Sequence, residues 1–201
     1  VLIGTLLFLK KNNKEKILDW ENQSVYQINR EKPRAHFYSF ESKKYALLNK
    51  PEKSKYLQSL NGDWKFSFSK NPKDRPRNFY RSDYDDSNWS LISVPGHWEL
   101  QGWSKPIYLD EEYPFPPDPP NIPHEHNEVG SYRKSFQYPV FWRDRDVFIR
   151  FSGVRSAFYL WINGEKVGYS QGSKTPAEFD ITPYIRNGRN NVSVEVYRFS
   201  D

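Results

Sequence analysis

Residues 158–169 read Phe-Tyr-Leu-Trp-Ile-Asn-Gly-Glu-Lys-Val-Gly-Tyr and carry the clearest structural pattern of the chain. Phe158, Leu160 and Ile162 occupy alternate positions, which is typical of a strand that buries one face, because successive side chains point to opposite sides. The dipeptide Asn163-Gly164 follows directly, and both residues tolerate the positive φ angles of a tight two-residue turn. This stretch therefore predicts two antiparallel strands joined as a hairpin.

The same period of two recurs along the rest of the chain. Apolar residues occupy alternate positions in residues 64–68, 147–151 and 192–196. The dipeptide Asn187-Gly188 predicts a second turn, before the last of these strands. No helical stripe of ten residues competes with the strands, although residues 41–59 have room for one or two short helical turns. We therefore predict an all-β antiparallel sandwich, with a jelly roll favoured over an immunoglobulin-like topology.

Composition limits the classes of protein to which the chain can belong. Of the 201 residues, 17% are aromatic, which is more apolar surface than a disordered chain carries. The net charge of +5 is uneven, because four lysines and one glutamate in residues 10–16 contribute +3 of it. The remaining residues are close to neutral, which argues against a nucleic-acid partner. The apolar runs are shorter than the about 20 residues of a membrane span, and the absence of cysteine excludes disulfides and thiolate ligands.

Composition and hydrophobic periodicity divide the chain into three parts. Residues 1–16 join an apolar run to a lysine-rich stretch, and we interpret them as a leader or as an end foreign to the natural protein. The run has the length of a signal-peptide core but is not followed by a small-residue cleavage site, so a cytoplasmic and a periplasmic location both stay open. Residues 17–54 lack a sustained period and are predicted to form an extended arm. Residues 55–201 then form the β-domain, with a proline-rich surface loop at residues 113–123.

Several motifs resemble the sugar-binding domain of glycoside hydrolase family 2, and they occur in that family's order. They are Leu60-Asn-Gly-Asp-Trp-Lys-Phe66, Val94-Pro-Gly-His-Trp-Glu99, Pro106-Ile-Tyr108, Phe151-Ser-Gly-Val-Arg-Ser-Ala-Phe158 and Val167-Gly-Tyr-Ser-Gln-Gly172. Asp19-Trp-Glu-Asn22 and Gln27-Ile-Asn-Arg30 are similar to the N-terminal arm of long bacterial beta-galactosidases of the lacZ type. The resemblance covers residues 17–201 and implies a galactose-binding-domain-like jelly roll with an extended N-terminal arm.

The resemblance also implies a function. Enzymes of this type are retaining beta-galactosidases, which hydrolyse terminal non-reducing beta-D-galactosides such as lactose. Their acid/base and nucleophile glutamates lie on a barrel several hundred residues downstream, so the 201 residues are expected to be inactive alone. The part of the enzyme that they represent is expected to shape the galactosyl pocket and to support the barrel, the other domains and a homo-oligomer. A structural Mg²⁺ is implied as well, with Na⁺ as a further cation of the full enzyme.

One residue corresponds to the family's sugar contact. In the family, the residue two positions after the Pro-Ile-Tyr motif contacts the galactosyl unit, and Asp110 stands at that position. The family usually has asparagine there. A carboxylate accepts hydrogen bonds from two sugar hydroxyls but cannot donate one as an amide does. We therefore expect Asp110 to bind the substrate without the donor half of that contact, and the alternative is a solvated acidic loop.

Five residues match the positions that bind the structural Mg²⁺ in lacZ-type enzymes. They are Asp19, Asn22, the backbone carbonyl of Val25, Gln171 and Asp201. All five offer oxygen atoms, which are the donors that Mg²⁺ prefers, and two carboxylates balance its charge. Such a site would join the arm to the far end of the β-domain. The alternative is that Asp19 and Asn22 only cap a turn.

Two other functions stay open from the residues alone. An autonomous carbohydrate-binding module has the same architecture and uses exposed aromatic rings, whereas a structural interaction domain uses the arm. Tyr159 and Trp161 point away from the apolar stripe of their strand, so they form either a carbohydrate platform or a covered face, and we favour the covered face. His124 and His126 are spaced to share one face of an extended strand, but we interpret them as loop histidines because no further ligand has matching spacing.

Overall fold

The structure is a computed structural model that describes residues 17–107 and 114–201. The predicted leader, residues 1–16, lies outside the described residues. Within them the chain forms one α-helix, α1 (Lys43–Leu47), and nine strands. The strands are β1 (Gln27–Ile28), β2 (Gly62–Ser69), β3 (Ser90–Val94), β4 (Val129–Tyr138), β5 (Phe148–Phe151), β6 (Ala157–Ile162), β7 (Glu165–Gln171), β8 (Ala177–Asp180) and β9 (Gly188–Tyr197). Short 3-10 helices lie at Asp19–Glu21, Pro51–Lys53, Glu99–Gln101, His124–His126, Val140–Trp142 and Thr182–Tyr184.

These strands form two antiparallel sheets. The larger sheet has seven strands in the order β1-β7-β6-β9-β4-β2-β3, and β5 pairs with β8 in the second sheet. The chain changes sheet between β4 and β5, again between β5 and β6, and on entering and leaving β8. Because apolar side chains of both sheets meet in one core, the fold is the antiparallel sandwich that the alternating pattern predicts. The all-β jelly-roll prediction is confirmed.

The β6–β7 hairpin forms where the Asn-Gly dipeptide predicts it. Ile162 pairs with Glu165, so Asn163 and Gly164 are the two turn residues. Their φ angles of 52° and 92° place both in the left-handed region that a type I′ turn requires. The buried Asn163 side chain donates to the Tyr184 carbonyl at 2.8 Å. The turn is therefore also tied to the connection between β8 and β9.

The main core lies between the two sheets. Phe158, Leu160 and Ile162 on one face of β6 are almost completely buried, as their alternate spacing predicts. They belong to one cluster with Trp64 and Phe66 of β2 and with apolar residues of the β5–β8 pair. Each large apolar side chain that is fully buried contributes about 1.5–3 kcal/mol. This core holds β6 at the centre of the sheet, with β7 on one side and β9 on the other.

A second, aromatic cluster lies on the outer face of the seven-stranded sheet. Tyr159 and Trp161 of β6 are only 9% and 8% exposed, because Trp20 of the arm and Phe79 of the β2–β3 loop belong to the same cluster. Trp20 stacks on Tyr197 of β9, with ring centroids 5.0 Å apart. The covered-face interpretation is therefore confirmed, and the alternative of a carbohydrate platform is wrong for these two rings. The cover is this chain's own arm and loop.

Candidate functional site

The arm reaches the β-domain along the edge of β7. Strand β1 pairs with β7 through Gln27 opposite Ser170 and Ile28 opposite Tyr169. Arg30 then donates from its guanidinium to the Ser170 hydroxyl at 3.0 Å. This pairing places the polar residues that precede β1 beside the end of β7, where the predicted metal ligands lie.

Three of the predicted ligands come together at this junction. The Asp19 carboxylate accepts a hydrogen bond from the Tyr159 hydroxyl at 2.9 Å. Gln171 donates from its side-chain amide to the Asp201 carboxylate at 2.7 Å. The backbone N–H of Asp201 donates to the Trp20 carbonyl at 3.1 Å. Direct hydrogen bonds therefore link the arm, the end of β7 and residue 201.

Asn22 and Val25 form the turn that leads into β1. The Val25 N–H donates to the Asn22 carbonyl at 2.8 Å, and the Ser24 N–H donates to the Asn22 side-chain oxygen at 3.1 Å. These are the turn contacts that the capping alternative expects of Asn22. Asp19 is different, because it begins a 3-10 helix and its carboxylate is bonded to Tyr159 of the sheet.

A buried hydroxyl and two carboxylates face one another in the junction. The Tyr169 hydroxyl is buried and makes no hydrogen bond of good geometry to the described residues, although the Gln171 amide lies beside it. Burial raises the pKa of Tyr169, the Asp201 and Asp19 carboxylates raise it further, and the Gln171 amide acts in the opposite direction. Lys166 offsets part of the negative charge, with its Nζ 3.6 Å from Asp19 Oδ2. An orphaned oxygen beside two carboxylates is a setting that suits a hard cation.

The two loop histidines begin and end a 3-10 helix, so they do not share one face of an extended strand. Nε2 of His124 lies 2.8 Å from the Glu21 carboxylate, which also accepts the Ile122 N–H at 3.0 Å. Glu21 therefore ties the arm to the loop that precedes β4. Within residues 17–107 and 114–201, no group of three or more His, Cys, Asp or Glu side chains is arranged to hold a metal. The predicted magnesium set differs from such a group, because it combines two carboxylates with amide and carbonyl oxygens.

Asp110, the predicted sugar contact, lies outside the described residues. The chain is described on both sides of it. Before it, Arg198 donates to the Ser104 hydroxyl at 2.7 Å. After it, Phe115 packs edge-on against Phe199, with ring centroids 5.2 Å apart. Both flanks of the candidate sugar contact therefore rest on the two residues that follow β9.

The sequence pattern predicted no role at the metal site for Tyr159 or Lys166, and no role for Arg198. The position of Tyr159 could have been inferred from the sequence, because alternation along β6 places its side chain on the outer face, which the arm covers. No sequence pattern pointed to Lys166 or Arg198, because their partners are distant in sequence. Arg198, for example, donates to a carbonyl 93 positions earlier.

Comparison with known sequences assigns the chain to a family. Residues 57–201 match the profile of the family described as "Glycosyl hydrolases family 2, sugar binding domain". The chain belongs to glycoside hydrolase family 2. It is 45% identical over 188 residues to the beta-galactosidase of Priestia megaterium, and 44% identical over 186 residues to that of Psychromonas ingrahamii. These alignments cover 91% and 92% of the chain but 18% of each relative, so the chain spans about a fifth of their length.

Solved structures agree with this family 2 assignment at the level of the fold. The crystal structure of a Bacteroides uniformis beta-glucuronidase superimposes with a TM-score of 0.52 and 25% identity, over 70% of this chain and 14% of that one. A Bifidobacterium dentium beta-glucuronidase in complex with coumarin-3-O-glucuronide has a TM-score of 0.51 and 22% identity, over 69% of this chain and 19% of that one. Among the residues that the structure describes, no helix has the length and apolar character needed to cross a membrane.

Several carboxylates of this family 2 domain are engaged in structural ion pairs. Glu195 lies 3.1 Å from Arg75 and accepts the Tyr197 hydroxyl at 2.7 Å. Asp86 lies 2.6 Å from the buried Arg133. Retaining hydrolysis needs one carboxylate free to attack and a second free to donate a proton, about 5–5.5 Å apart. Carboxylates paired with arginines in this way are not free for either role.

Proposed function

We propose that this chain is the N-terminal sugar-binding part of a retaining beta-galactosidase that hydrolyses terminal non-reducing beta-D-galactosides. The observation that carries the proposal is the 45% identity to the Priestia megaterium beta-galactosidase over 188 residues. This alignment extends beyond the sugar-binding profile into the arm, because the profile begins only at residue 57. The fold alone would leave the sugar open, since beta-glucuronidases share it.

The test is to express the complete reading frame that contains this chain. Its hydrolysis of p-nitrophenyl beta-D-galactoside is compared with that of the corresponding glucuronide. We expect turnover of the galactoside, and none by residues 1–201 alone, because we place the paired glutamates outside them. A preference for the glucuronide would show that the sugar is wrongly assigned.

We propose further that Asp110 borders the galactosyl pocket and accepts hydrogen bonds from the sugar. A hydrogen bond to a charged group contributes about 1.5–3 kcal/mol, so Asp110→Ala should raise KM about tenfold or more. Asp110→Asn should retain most of the affinity, because an amide both accepts and donates. The control is Asp118→Ala, since Asp118 is an exposed residue whose carboxylate accepts the Asn121 amide at 3.0 Å. Equal KM values for the two alanine variants would rule out the contact.

We propose that Mg²⁺ binds at the junction of the arm and the β-domain. Its ligands would be Asp19, Asn22, the Val25 carbonyl, Gln171 and Asp201. The support is that the Asp19 and Asp201 carboxylates and the Gln171 amide all lie near the orphaned Tyr169 hydroxyl, and that Gln171 donates directly to Asp201. The turn bond of Asn22 does not conflict with this role, because an amide oxygen has a second lone pair. The ion would neutralise the two carboxylates and hold the arm in place.

Calorimetric titration of the complete, chelator-treated protein with Mg²⁺ tests this site. Asp19→Ala should weaken binding at least about tenfold, because it removes one of the two carboxylates. The control is Asp83→Ala, since Asp83 is exposed and pairs with Arg81 at 2.9 Å in another loop. Mg²⁺ binding of the same affinity in Asp19→Ala and in the wild type would contradict the proposal. The Na⁺ of the complete enzyme stays a prediction.

We also propose that the chain contacts the remaining domains of the enzyme and a second copy of it in a homo-oligomer. The support is the arm, on which Phe37, Leu47 and Leu48 are 64%, 76% and 54% exposed. Light scattering of the complete protein tests the oligomer, and a monomer at micromolar concentration would contradict it. An autonomous carbohydrate-binding module is the less favoured alternative, because the arm and the Phe79 loop bury the outer aromatic face of the sheet.

A further inference from the structure

Lys166 lies on the outer face of β7 because of a β-bulge. The register of β7 with β6 shifts between Leu160 and Trp161, which leaves Val167 as an extra residue. Regular alternation would place residues 166 and 169 on opposite faces of the strand. The bulge instead directs Lys166 and Tyr169 to the face that the arm covers, while Val167 is buried in the main core.

The ammonium group of Lys166 lies where Tyr159 of the sheet meets Asp19 of the arm. Its Nζ is 4.3 Å from the centre of the Tyr159 ring and 3.6 Å from Oδ2 of Asp19. The same carboxylate oxygen accepts the Tyr159 hydroxyl at 2.9 Å. A cation over an aromatic face and beside a carboxylate is attracted by both groups. Lys166 therefore links the sheet to the arm through its charge.

The second carboxylate of the junction, Asp201, is not paired with a basic side chain in the part of the chain that the structure describes. It accepts the neutral amide of Gln171 at 2.7 Å. Arg30 directs its guanidinium at the Ser170 hydroxyl and the Gln171 carbonyl instead. The fully buried Tyr169 hydroxyl, near both carboxylates, also lacks a partner among the described residues. Lys166 thus pairs with one carboxylate and leaves the rest of the junction open to a second cation.

We propose that Lys166 is a resident counter-ion of Asp19 that competes with Mg²⁺ for this carboxylate. The proposal rests on the proposed metal site and concerns its regulation. Two cations on one carboxylate repel each other, so the attraction that Lys166 adds to arm docking is subtracted from the affinity for the ion. The Lys166 side chain is 46% exposed and its stem is flexible, which lets the ammonium move into water when the ion binds.

This competition gives one substitution two opposite effects. Removal of the charge at residue 166 tightens Mg²⁺ binding, because the ion no longer displaces a counter-ion from Asp19. The same removal weakens docking of the arm in the absence of the ion. By linkage, the two changes should have similar factors, since both measure the Lys166–Asp19 interaction. A lysine that only packs against Tyr159 would not tighten Mg²⁺ binding.

Lys134 provides a matched control for Lys166. It also lies on a strand of the large sheet, with its Nζ 5.8 Å from the centre of the Trp64 ring. Its described hydrogen bonds go to the backbone carbonyls of Asn61 and Asp63, at 3.5 and 2.7 Å, and not to a carboxylate. Lys134→Met therefore removes an ammonium group from an aromatic ring without changing the charge beside Asp19.

The experiment titrates Mg²⁺ calorimetrically into the complete, chelator-treated protein and follows the binding event that Asp19→Ala weakens. Lys166→Met should lower the Kd for Mg²⁺ about threefold, the size expected for a half-exposed ion pair. Tryptic cleavage at Arg30 in the presence of chelator should become faster by a similar factor. Saturating Mg²⁺ should remove this difference in cleavage rate. Lys134→Met should change neither the Kd nor the cleavage rate.

Two further variants separate charge from packing and from misfolding. Lys166→Arg keeps the positive charge, so its Kd should stay close to that of the wild type. Lys166→Gln, a second neutral variant, should tighten binding as expected of Lys166→Met if the methionine variant folds poorly.

The outcomes distinguish this proposal from the metal site on which it rests. Neutral variants of Lys166 whose Kd equals or exceeds that of Lys134→Met would overturn the competition, while weaker binding by Asp19→Ala would leave the metal site standing. Equal tightening in Lys166→Arg and Lys166→Met would overturn it as well. Absence of Mg²⁺ binding by the wild type would overturn the metal site and this proposal together.

Discussion

At the scale of single residues, Tyr159 joins the arm to the centre of the sheet. Its ring is buried in the outer aromatic cluster, and its hydroxyl donates to the Asp19 carboxylate at 2.9 Å. Tyr159→Phe keeps the ring and removes a hydrogen bond to a charged acceptor. We expect the free energy of unfolding in urea to fall by about 2 kcal/mol.

The control for this substitution is Tyr80→Phe. Tyr80 also lies against the outer cluster, and its hydroxyl donates to Asn78 at 3.1 Å in an exposed contact. Its removal should change the free energy of unfolding by less than about 0.5 kcal/mol. Equal losses in the two variants would mean that the Tyr159–Asp19 bond contributes nothing special to arm docking.

Buried tyrosines also make the free energy of unfolding depend on pH in the alkaline range. Burial raises the pKa of Tyr132 and of Tyr197, and the carboxylates of Glu99 and Glu195 respectively raise it further. The unfolded chain releases these phenolic protons near pH 10, the ordinary tyrosine value, whereas the folded chain retains them. The stability that these two protonated hydroxyls contribute is therefore fully present below pH 10, and it is lost as the pH rises above that value.

Tyr132→Phe tests this dependence, because it removes one titrating hydroxyl and keeps the ring. The free energy of unfolding, measured from pH 8 to 11, should fall less steeply in the variant than in the wild type. The difference in slope is at most about 1.4 kcal/mol per pH unit for one group. Superimposable curves above pH 10 would contradict the assignment.

At the scale of elements, the arm and the core both pack closely against β7 at Gly168. A Cβ atom added there would meet the carbonyl of Ile28 in the arm and would lie 2.6 Å from a ring carbon of Phe179 in the core. Backbone cannot move aside as a flexible side chain does. Gly168→Ala should therefore lower the free energy of unfolding by about 2–4 kcal/mol and loosen the arm, which faster tryptic cleavage at Arg30 would report.

Gly102→Ala is the matched control for this substitution. Gly102 has a φ of 84° and open space around its Cβ position, so alanine meets only backbone strain of about 1 kcal/mol. Cleavage at Arg30 should not change. If Gly168→Ala were no more disruptive than Gly102→Ala, close approach of β1 would not be what requires glycine.

The strands were predictable from the sequence because a period of two directly reports one buried face. The alternating residues 64–68 and 158–162 lie in β2 and β6, as predicted. Asn163 and Gly164 form the predicted two-residue turn between β6 and β7. The path of the arm was not predictable in this way, since Trp20 lies in a stretch without a period and finds its partners more than 100 positions away. The Arg198 network is hidden for the same reason. The division between arm and domain at residue 54 stays a prediction.

At the scale of the whole molecule, the arm acts as a third layer. The main core fills the space between the two sheets, and the arm and the β2–β3 loop together cover the outer aromatic cluster of the seven-stranded sheet. Trp20 is the part of the arm that closes this cluster, in contact with Tyr197 and with His124. Two of the proposed magnesium ligands, Asp19 and Asn22, flank Trp20 in sequence. Packing and any bound ion would therefore stabilise the same docked state.

Trp20→Ala tests the contribution of this layer. Removing a buried tryptophan leaves a cavity and costs about 3–5 kcal/mol, so the free energy of unfolding should fall by that amount. The uncovered rings of Tyr159 and Tyr197 should then increase the fluorescence of a hydrophobic dye such as ANS. Leu47→Ala is the control, because Leu47 is 76% exposed. It should change the free energy of unfolding by less than about 0.5 kcal/mol and leave the ANS fluorescence unchanged. A Trp20→Ala protein as stable as Leu47→Ala would show that the sandwich does not need the arm.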